Sequence, residues 1–510
     1  MQYHNPVLPG FYPDPSICRV AQDYYMVTST FEYWPGVPVF HSKDLIHWEQ
    51  IGHCLTRKSQ LAFDDLYGPH GIFAPTIRYD KGTFYMITTD VRGIGHFYVY
   101  TDDPAGEWSD PVRVQGSGFD PDLFFDDDGK VYFSYHPDEG TIRQSEIDIS
   151  TGSLIGDEHC IWSGFEDKLC EAPHIYKING LYYLIAAEGE TYHGHMVVAA
   201  RSETPMGPFI SCPHNPILTH RSLGWAPIQS VGHGDLVQDH EGQWWIVFLG
   251  VRRVGWGNHH LGRETFLAPV TWTEDDWPIV NEGNPVMPRM EVNRTHLLDP
   301  LAKYPIRDDF DNNRLSLCWN FRRQEWEELW SLSAKPGWLM LKGLSANLRD
   351  VNHHSFVGRR QQHMHFRAST LLEFHPQHEG EEAGLTVFMN EQFHYTLGVI
   401  RDQAGRVIVL SKQVGDLSHS IRFPIKSEGN VRLELKGDPT RYTFGFRIEN
   451  DPYVQLGSGE TRLLCQEIAG GFTGIYLAMY ATGNGRLSNE QAFFDWFDYE
   501  PLDDVDSGEE

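Results

Sequence analysis

Clustered basic residues are missing from this chain. Its 510 residues hold 41 Lys and Arg against 70 Asp and Glu, a net charge of −29, with no basic grouping denser than isolated pairs. Binders of nucleic acid draw most of their affinity from grouped cations that neutralise phosphates, so nucleic acid is disfavoured as a partner. An anionic membrane surface is disfavoured for the same reason. Cysteines are few and scattered, seven in all with no Cys-x-x-Cys pair, which argues against a zinc site or a disulfide framework. No run approaches the roughly 18 apolar residues of a membrane span. The start, Met1 to Pro6, lacks the basic and apolar regions of a secretory signal. The expectation is a soluble, cytoplasmic chain. His-Glu-x-x-His, Gly-x-Ser-x-Gly and P-loop patterns are also absent, so metalloprotease, serine hydrolase and nucleotide-hydrolase readings lack support. Helical periodicity is scarce throughout.

What is present is a repeat. Five short segments open similar units at intervals of 46 to 61 residues: Asp14-Pro15-Ser16-Ile17, Ala74-Pro75-Thr76-Ile77, Asp120-Pro121-Asp122-Leu123, Ala172-Pro173-His174-Ile175 and, more loosely, His233-Gly234-Asp235-Leu236. A turn and an aromatic, β-branched run follow each, as in Gly82-Thr83-Phe84-Tyr85-Met86-Ile87 and Gly180-Leu181-Tyr182-Tyr183-Leu184-Ile185. Such runs read as hairpins. Five all-β units of this size predict a five-bladed propeller over residues 1–298. The first strand of each blade then lines a common axis, and Asp14, Ala74, Asp120, Glu171 with Ala172, and His233 become neighbours.

Residues 299–308, with Asp299-Pro300 and Lys303-Tyr304-Pro305, read as a linker. Short apolar or alternating segments such as Leu371-Leu372-Glu373-Phe374 and Val431-Arg432-Leu433-Glu434-Leu435 then predict a β-sandwich over 309–500, of the concanavalin-like jelly-roll kind. Residues 501–510 read as a solvated acidic tail. The class is all-β.

Three acids at one axis repel one another unless one stays protonated. Glycoside hydrolysis uses that situation, with one ionised carboxylate to activate water and one neutral acid to protonate the leaving oxygen. The residues that carry the pattern are Asn5 to Ser16, Gly118-Phe119-Asp120-Pro121 before Asp127-Asp128-Gly129, and Cys170 to Tyr176. Phe73-Ala74-Pro75-Thr76-Ile77, Gly232-His233-Gly234, Gly262-Arg263-Glu264-Thr265 and the closing Phe494-Asp495-Trp496-Phe497 extend it. Together they resemble glycoside hydrolase family 43, in its β-xylosidase and α-L-arabinofuranosidase-like branch.

That resemblance implies Asp14 as general base, Glu171 as general acid and Asp120 as the group whose charge raises the pKa of Glu171. It implies Arg263 as a pocket arginine on carboxylate and sugar. His233 would face the axis, reaching either a central structural calcium ion through water or the substrate, with no cofactor needed for the chemistry. Phe31 and Phe73 are the expected sugar platforms, the family more often having Trp at the second, and His195 is a further candidate at the pocket border. The implied reaction is inverting removal of xylose from the non-reducing end of β-1,4-xylo-oligosaccharides, with carboxylates about 6.5–9.5 Å apart. Action on arabinose-decorated substrates is the near alternative, and a carbohydrate-binding propeller without catalysis the distant one. The turn Tyr480 to Gly485 is the expected loop that closes one side of the pocket, and a homo-oligomer suits a chain of this size. Asp126, Asp127 and Asp128 precede Gly129 at a hairpin and read as turn residues. His193, His259 and His260 read as structural.

Overall fold

Aromatic and β-branched runs bounded by Gly and Asp turns become strands along almost the whole chain. A computed structural model describes residues 2–61, 70–137, 140–166, 169–255, 257–291, 307–351, 353–403 and 405–502. The predicted linker residues 299–306 and the tail from 503 onward lie outside them. Arg307 and Asp308, read from sequence as the end of the linker, are instead a strand paired with Phe497 and Asp498.

The first half forms five antiparallel sheets. Their first strands are Ser16–Val20, Thr76–Asp80, Phe119–Phe125, Glu171–Ile178 and Ile228–Gln238. Each packs against the next, and the fifth packs against the first, so the ring is closed and the expected propeller is observed. Closure is also made by the N-terminus. Gln2–His4 pairs with Arg289–Glu291, while Tyr3 Oη and Asn5 Nδ2 donate to the Leu267 carbonyl at 2.8 and 2.9 Å. The first residues thus complete the last blade, and a core running from Tyr3 and Leu8 through Ile246 and Phe266 is buried by both ends of the domain together.

A single guanidinium ties the inner strands. Arg78, on the second blade, lies 2.9 Å from Asp122 of the third and donates at 2.8 Å to Asp235 of the fifth and at 2.9 Å to His174 Nδ1 of the fourth. Ser16 of the first blade donates to one oxygen of the same Asp235 carboxylate at 2.6 Å, and the Tyr176 hydroxyl of the fourth donates to the other. All five blades therefore meet around one cation. Opposite charges this well paired and hydrogen-bonded can be held away from water, whereas either partner alone could not.

The second compact unit holds the described residues from 307 onward together with those of Val254–Gly262. One sheet runs Ser355–Arg360, Tyr476–Thr482, Glu382–Asn390, Phe393–Asp402, Gly405–Val414, Leu417–Pro424 in spatial order; the other is centred on Gln491–Pro501, Phe366–Glu373, Val431–Gly437 and Arg441–Ile448. Tyr395 of the first sheet meets Tyr442 and Phe444 of the second, with ring centroids 6.4 and 6.1 Å apart, so the core lies between the layers. The sandwich expectation holds. Within this unit His259 donates to Glu467 at 2.6 Å, a structural role.

Candidate active site

The sequence positions that open the inner strands do more than start them. Asp14, Asp120, Ala172 and His233 all have positive φ, between 48° and 55°. Residues with a Cβ rarely adopt that conformation, and its repetition at one tier marks a place where the ring holds the backbone against its preference. Pairing registers also shift between Phe119 and Asp122, between Glu171 and His174, and between Gln229 and Gly234. Bulges of this kind re-aim side chains. Here they lie at the openings of three blades, two of them acidic and the third at His233.

Asp14 is buried, and two groups hold it. Arg263 Nη1 donates to Oδ1 at 2.7 Å and Ser29 Oγ to Oδ2 at 2.5 Å. The approach of residue 263 to residue 14 follows from the backbone around both: Leu8 bridges to Thr265, Tyr12 N donates to the Arg263 carbonyl at 3.1 Å, and Thr265 Oγ1 donates to the Tyr12 carbonyl at 2.6 Å. Glu264 points away, held by Arg252 through two 2.8 Å bonds. The Arg-Glu-Thr triplet thus divides into a pocket cation and two anchors.

Asp120 is buried beside them, and the Glu171 side chain is 12% exposed. Burial first, and then the charge of Asp14, push the Glu171 carboxyl up to about 8, with Arg263 opposing and Glu190 adding to the rise. Burial likewise pushes Asp120 well above the carboxylate range, followed by Glu171 and Asp14, against Arg263 and the Ala172 N–H. Sequence reasoning assigned the rise of Glu171 to Asp120. In the structure desolvation leads and Asp14 supplies the charge, because the deep tier affords both carboxyls little water.

His195 lies against this pair. Its Nδ1 donates to the Ser230 carbonyl at 3.2 Å, which leaves the Nε2 lone pair facing Glu171 Oε1 at 4.0 Å. Burial drives the imidazole down to about 3, so it is neutral. A lone pair in that position favours a protonated Glu171. The ring fits because residue 232 is glycine: a Cβ there would stand 2.3 Å from His195 Cε1. His233 Nδ1 is 3.8 Å from Asp14 Oδ1, and burial holds it down at about 4.

The two aromatic candidates separate. Phe31 is only 2% exposed, and the Arg263 guanidinium sits over its ring at 5.5 Å. It supports the cation and is not an open platform. Phe73 is partly exposed, packs on Phe31 at 5.0 Å and meets Phe119 at 6.3 Å; these two partly exposed rings are the ones that can face a sugar. Ser29, Thr191 (3.3 Å from Arg263) and Glu190 have no signal in the sequence, since they stand in loops without a motif of their own, and Phe119 lies inside a quoted motif without being marked as a site residue. His193 is exposed. The Asp126 carboxylate accepts from Lys177 and Tyr182, each at 2.7 Å, as a turn residue tying two blades. The turn Tyr480 to Gly485 is bonded within its own unit, Tyr480 and Asn484 both donating to Glu382.

The sequence model for glycosyl hydrolases family 43 matches residues 3–278, and that for the β-xylosidase C-terminal concanavalin A-like domain matches 307–500. A non-reducing end α-L-arabinofuranosidase of Bacteroides ovatus is 42% identical, over 98% of this chain and 95% of its own. A xylosidase/arabinosidase of Butyrivibrio fibrisolvens is 37% identical, over 98% and 99%. Among solved structures, the xylan β-1,4-xylosidase of Bacillus halodurans superposes with a TM-score of 0.92 at 32% identity, covering 98% of this chain and all of that one. With three acids around one arginine on a five-bladed axis, and more than half of its length matched, the chain belongs to glycosyl hydrolases family 43.

Proposed function

We propose that this protein is an inverting, exo-acting glycosidase that removes xylose from the non-reducing end of β-1,4-xylo-oligosaccharides. The observation that carries the reading is one buried pocket holding a carboxylate paired with arginine and a second carboxyl raised to about 8. Near neutral pH the first can accept a proton and the second can give one.

In the reaction, Asp14 takes a proton from a water molecule as the water oxygen bonds to the anomeric carbon. The bond from that carbon to the glycosidic oxygen breaks, and the oxygen takes the Glu171 proton. Free sugar and a shortened alcohol leave; Asp14 is then protonated and Glu171 ionised, and exchange with solvent restores both. Asp120 lies close enough for the charge of Glu171 to raise its own carboxyl, so the two titrate together. Arg263, seated over the Phe31 ring, holds the Asp14 carboxylate in place through its Nη1.

The surroundings of His233 do not suit a directly bound calcium. That ion takes six to eight oxygen ligands, whereas His174 is the ring neighbour at 6.3 Å, and the adjacent carboxylates are engaged by Arg263 and Arg78. Among the described residues no group of three or more His, Cys, Asp or Glu is set to hold a metal. No step above uses one. Seven free thiols suit a reducing compartment, which supports action inside the cell.

Relatives bearing both xylosidase and arabinofuranosidase names favour α-L-arabinofuranosidase as the second reading. Initial rates on aryl β-xyloside and aryl α-arabinofuranoside decide between them, the first expected to be faster. Proton NMR of the released sugar is expected to show the α-anomer of xylose first; the β-anomer first would overturn inversion.

A further inference from the structure

The outward face of the six-stranded sheet in the sandwich carries a cleft of about 450 Å³ that the proposed reaction does not use. Its volume falls within the roughly 300–1,000 Å³ of small-ligand sites. Alternation along the strands shows how it is made. Tyr395, Leu397 and Val399 face the core, so Thr396, Gly398 and Ile400 face outward. Cross-strand partners share a face: Ile400 pairs with Val407, Gly398 with Val409, Thr396 with Ser411, then Ser411 with Ser420 and Gln413 with Ser418.

The face therefore has two bands. Ile400, Val407 and Val409 form a small apolar cluster of their own, separate from the core between the sheets. Beside it run Ser411, Gln413, Ser418 and Ser420, and the hydroxyls of Ser411, Ser418 and Ser420 have no hydrogen-bond partner within the described residues. At one end Glu382 accepts from Tyr480 at 2.5 Å and Asn484 at 2.9 Å. Gly398, with no side chain, leaves the floor low; a Cβ there would lie 2.9 Å from the Tyr480 hydroxyl.

We propose that this cleft is a second, non-catalytic site for a neutral oligosaccharide of the kind the catalytic pocket trims. A sugar ring has an apolar C–H surface and a rim of hydroxyls that both donate and accept. The apolar residues of its lining, Ile400 and Val409, suit the first; the strip of uncommitted serine hydroxyls suits the second, and Glu382 and the Gln413 amide oxygen add acceptors, the Gln413 Nε2 being given to the Gly415 carbonyl. Three cations line the cleft: Lys412 donates to the Ser458 carbonyl and Arg422 is paired with Asp402 at 2.9 Å, so an anionic ligand would have Arg349 to meet and Glu382 to oppose it. The choice of sugar rests on the proposed activity, while the existence of the site does not.

Native gel electrophoresis of the full chain carrying Glu171→Gln, run through gels with soluble arabinoxylan or with polygalacturonate, tests it. Retardation by arabinoxylan is expected, at least fivefold weaker after Ser411→Arg and measurably weaker after the milder pair Gln413→Ala with Ser418→Ala. In the otherwise unaltered enzyme, the same cleft substitutions are expected to leave aryl-glycoside turnover and melting temperature unchanged. No retardation, retardation untouched by both cleft variants but abolished by Arg263→Ala, or retardation by polygalacturonate alone would overturn the proposal. Failure of the activity reading shows separately, as absent aryl-glycoside hydrolysis by the unaltered chain.

Discussion

Two tiers of the propeller axis, built from the same strands, treat their carboxylates in opposite ways. Asp120 and Asp122 are two residues apart on one strand, His233 and Asp235 two apart on another, Asp14 and Ser16 at the start of a third. In the tier of Asp122 and Asp235, two acids share Arg78 and a set of hydroxyl and amide donors. Burial alone would raise Asp235, yet Arg78 and those donors bring it down to about 2. In the tier of Asp14, Asp120 and Glu171, three acids share one arginine that is committed to Asp14, and both remaining carboxyls are pushed up. Saturated pairing produces a structural node; one cation too few leaves a proton available for transfer. Burial is common to both, so burial is not what distinguishes a catalytic acid from a structural one.

The largest effect expected from breaking this contrast is on the unsaturated tier. Glu171→Ala should lower kcat on a substrate with a poor leaving group by about 10³-fold or more, within the usual range for a general acid. A nitrophenyl-type leaving group, which needs little protonation, should recover most of that loss in steady-state kinetics. Next is the saturated tier. Arg78→Met strands Asp122 and Asp235 as unpaired buried charges, and loss of one partner of such a pair costs about 3–5 kcal/mol. Chemical denaturation should show it, and a chain also carrying Asp122→Asn and Asp235→Asn should regain part of the loss. Unchanged stability in the single variant would remove the node from this account.

The pH dependence sharpens the same contrast. Because the Glu171 pKa is raised in the folded state, the fold binds its proton more tightly than the unfolded chain, and stability falls as pH rises toward about 8. Glu171→Gln should therefore melt higher than the parent, by a margin that grows between pH 5 and pH 8.5. The parent's kcat/KM should decline above about pH 8 as the acid ionises. Asp235 has the opposite sign, since its lowered pKa contributes stability above about pH 4 that is lost as pH falls toward about 2. The smallest effect lies off the axis altogether. Asp126→Asn should cost under about 1.5 kcal/mol, through weakened bonds to Lys177 and Tyr182, and leave turnover unchanged.

Much of the architecture was legible because a repeat exposes itself. Five openings spaced like blades, each followed by a hairpin run, set Asp14, Asp120 and Glu171 around one axis. Arg78 was missed, although it stands four residues past the Ala74 opening, because an arginine in a strand carries no local sign of the two acids it will meet from other blades. Phe31 was misread for a related reason. An aromatic near a pocket motif suits a sugar, and only the packing shows that its face is taken by Arg263. The positive φ values at Asp14, Asp120 and His233 carry no sign in the sequence either, although Asp and His enter that region more readily than most residues.

The bond from Arg263 to Asp14 joins residues 249 apart. At about 5–20 residues per second, a ribosome takes roughly 10–50 s to travel between them. Throughout that interval the nascent chain holds acids whose counter-ion has not yet been made. The pocket therefore comes into being as one of the last events of the domain's biosynthesis, and chains cut short before residue 263 carry every acid of the triad without the cation that lets them be buried together.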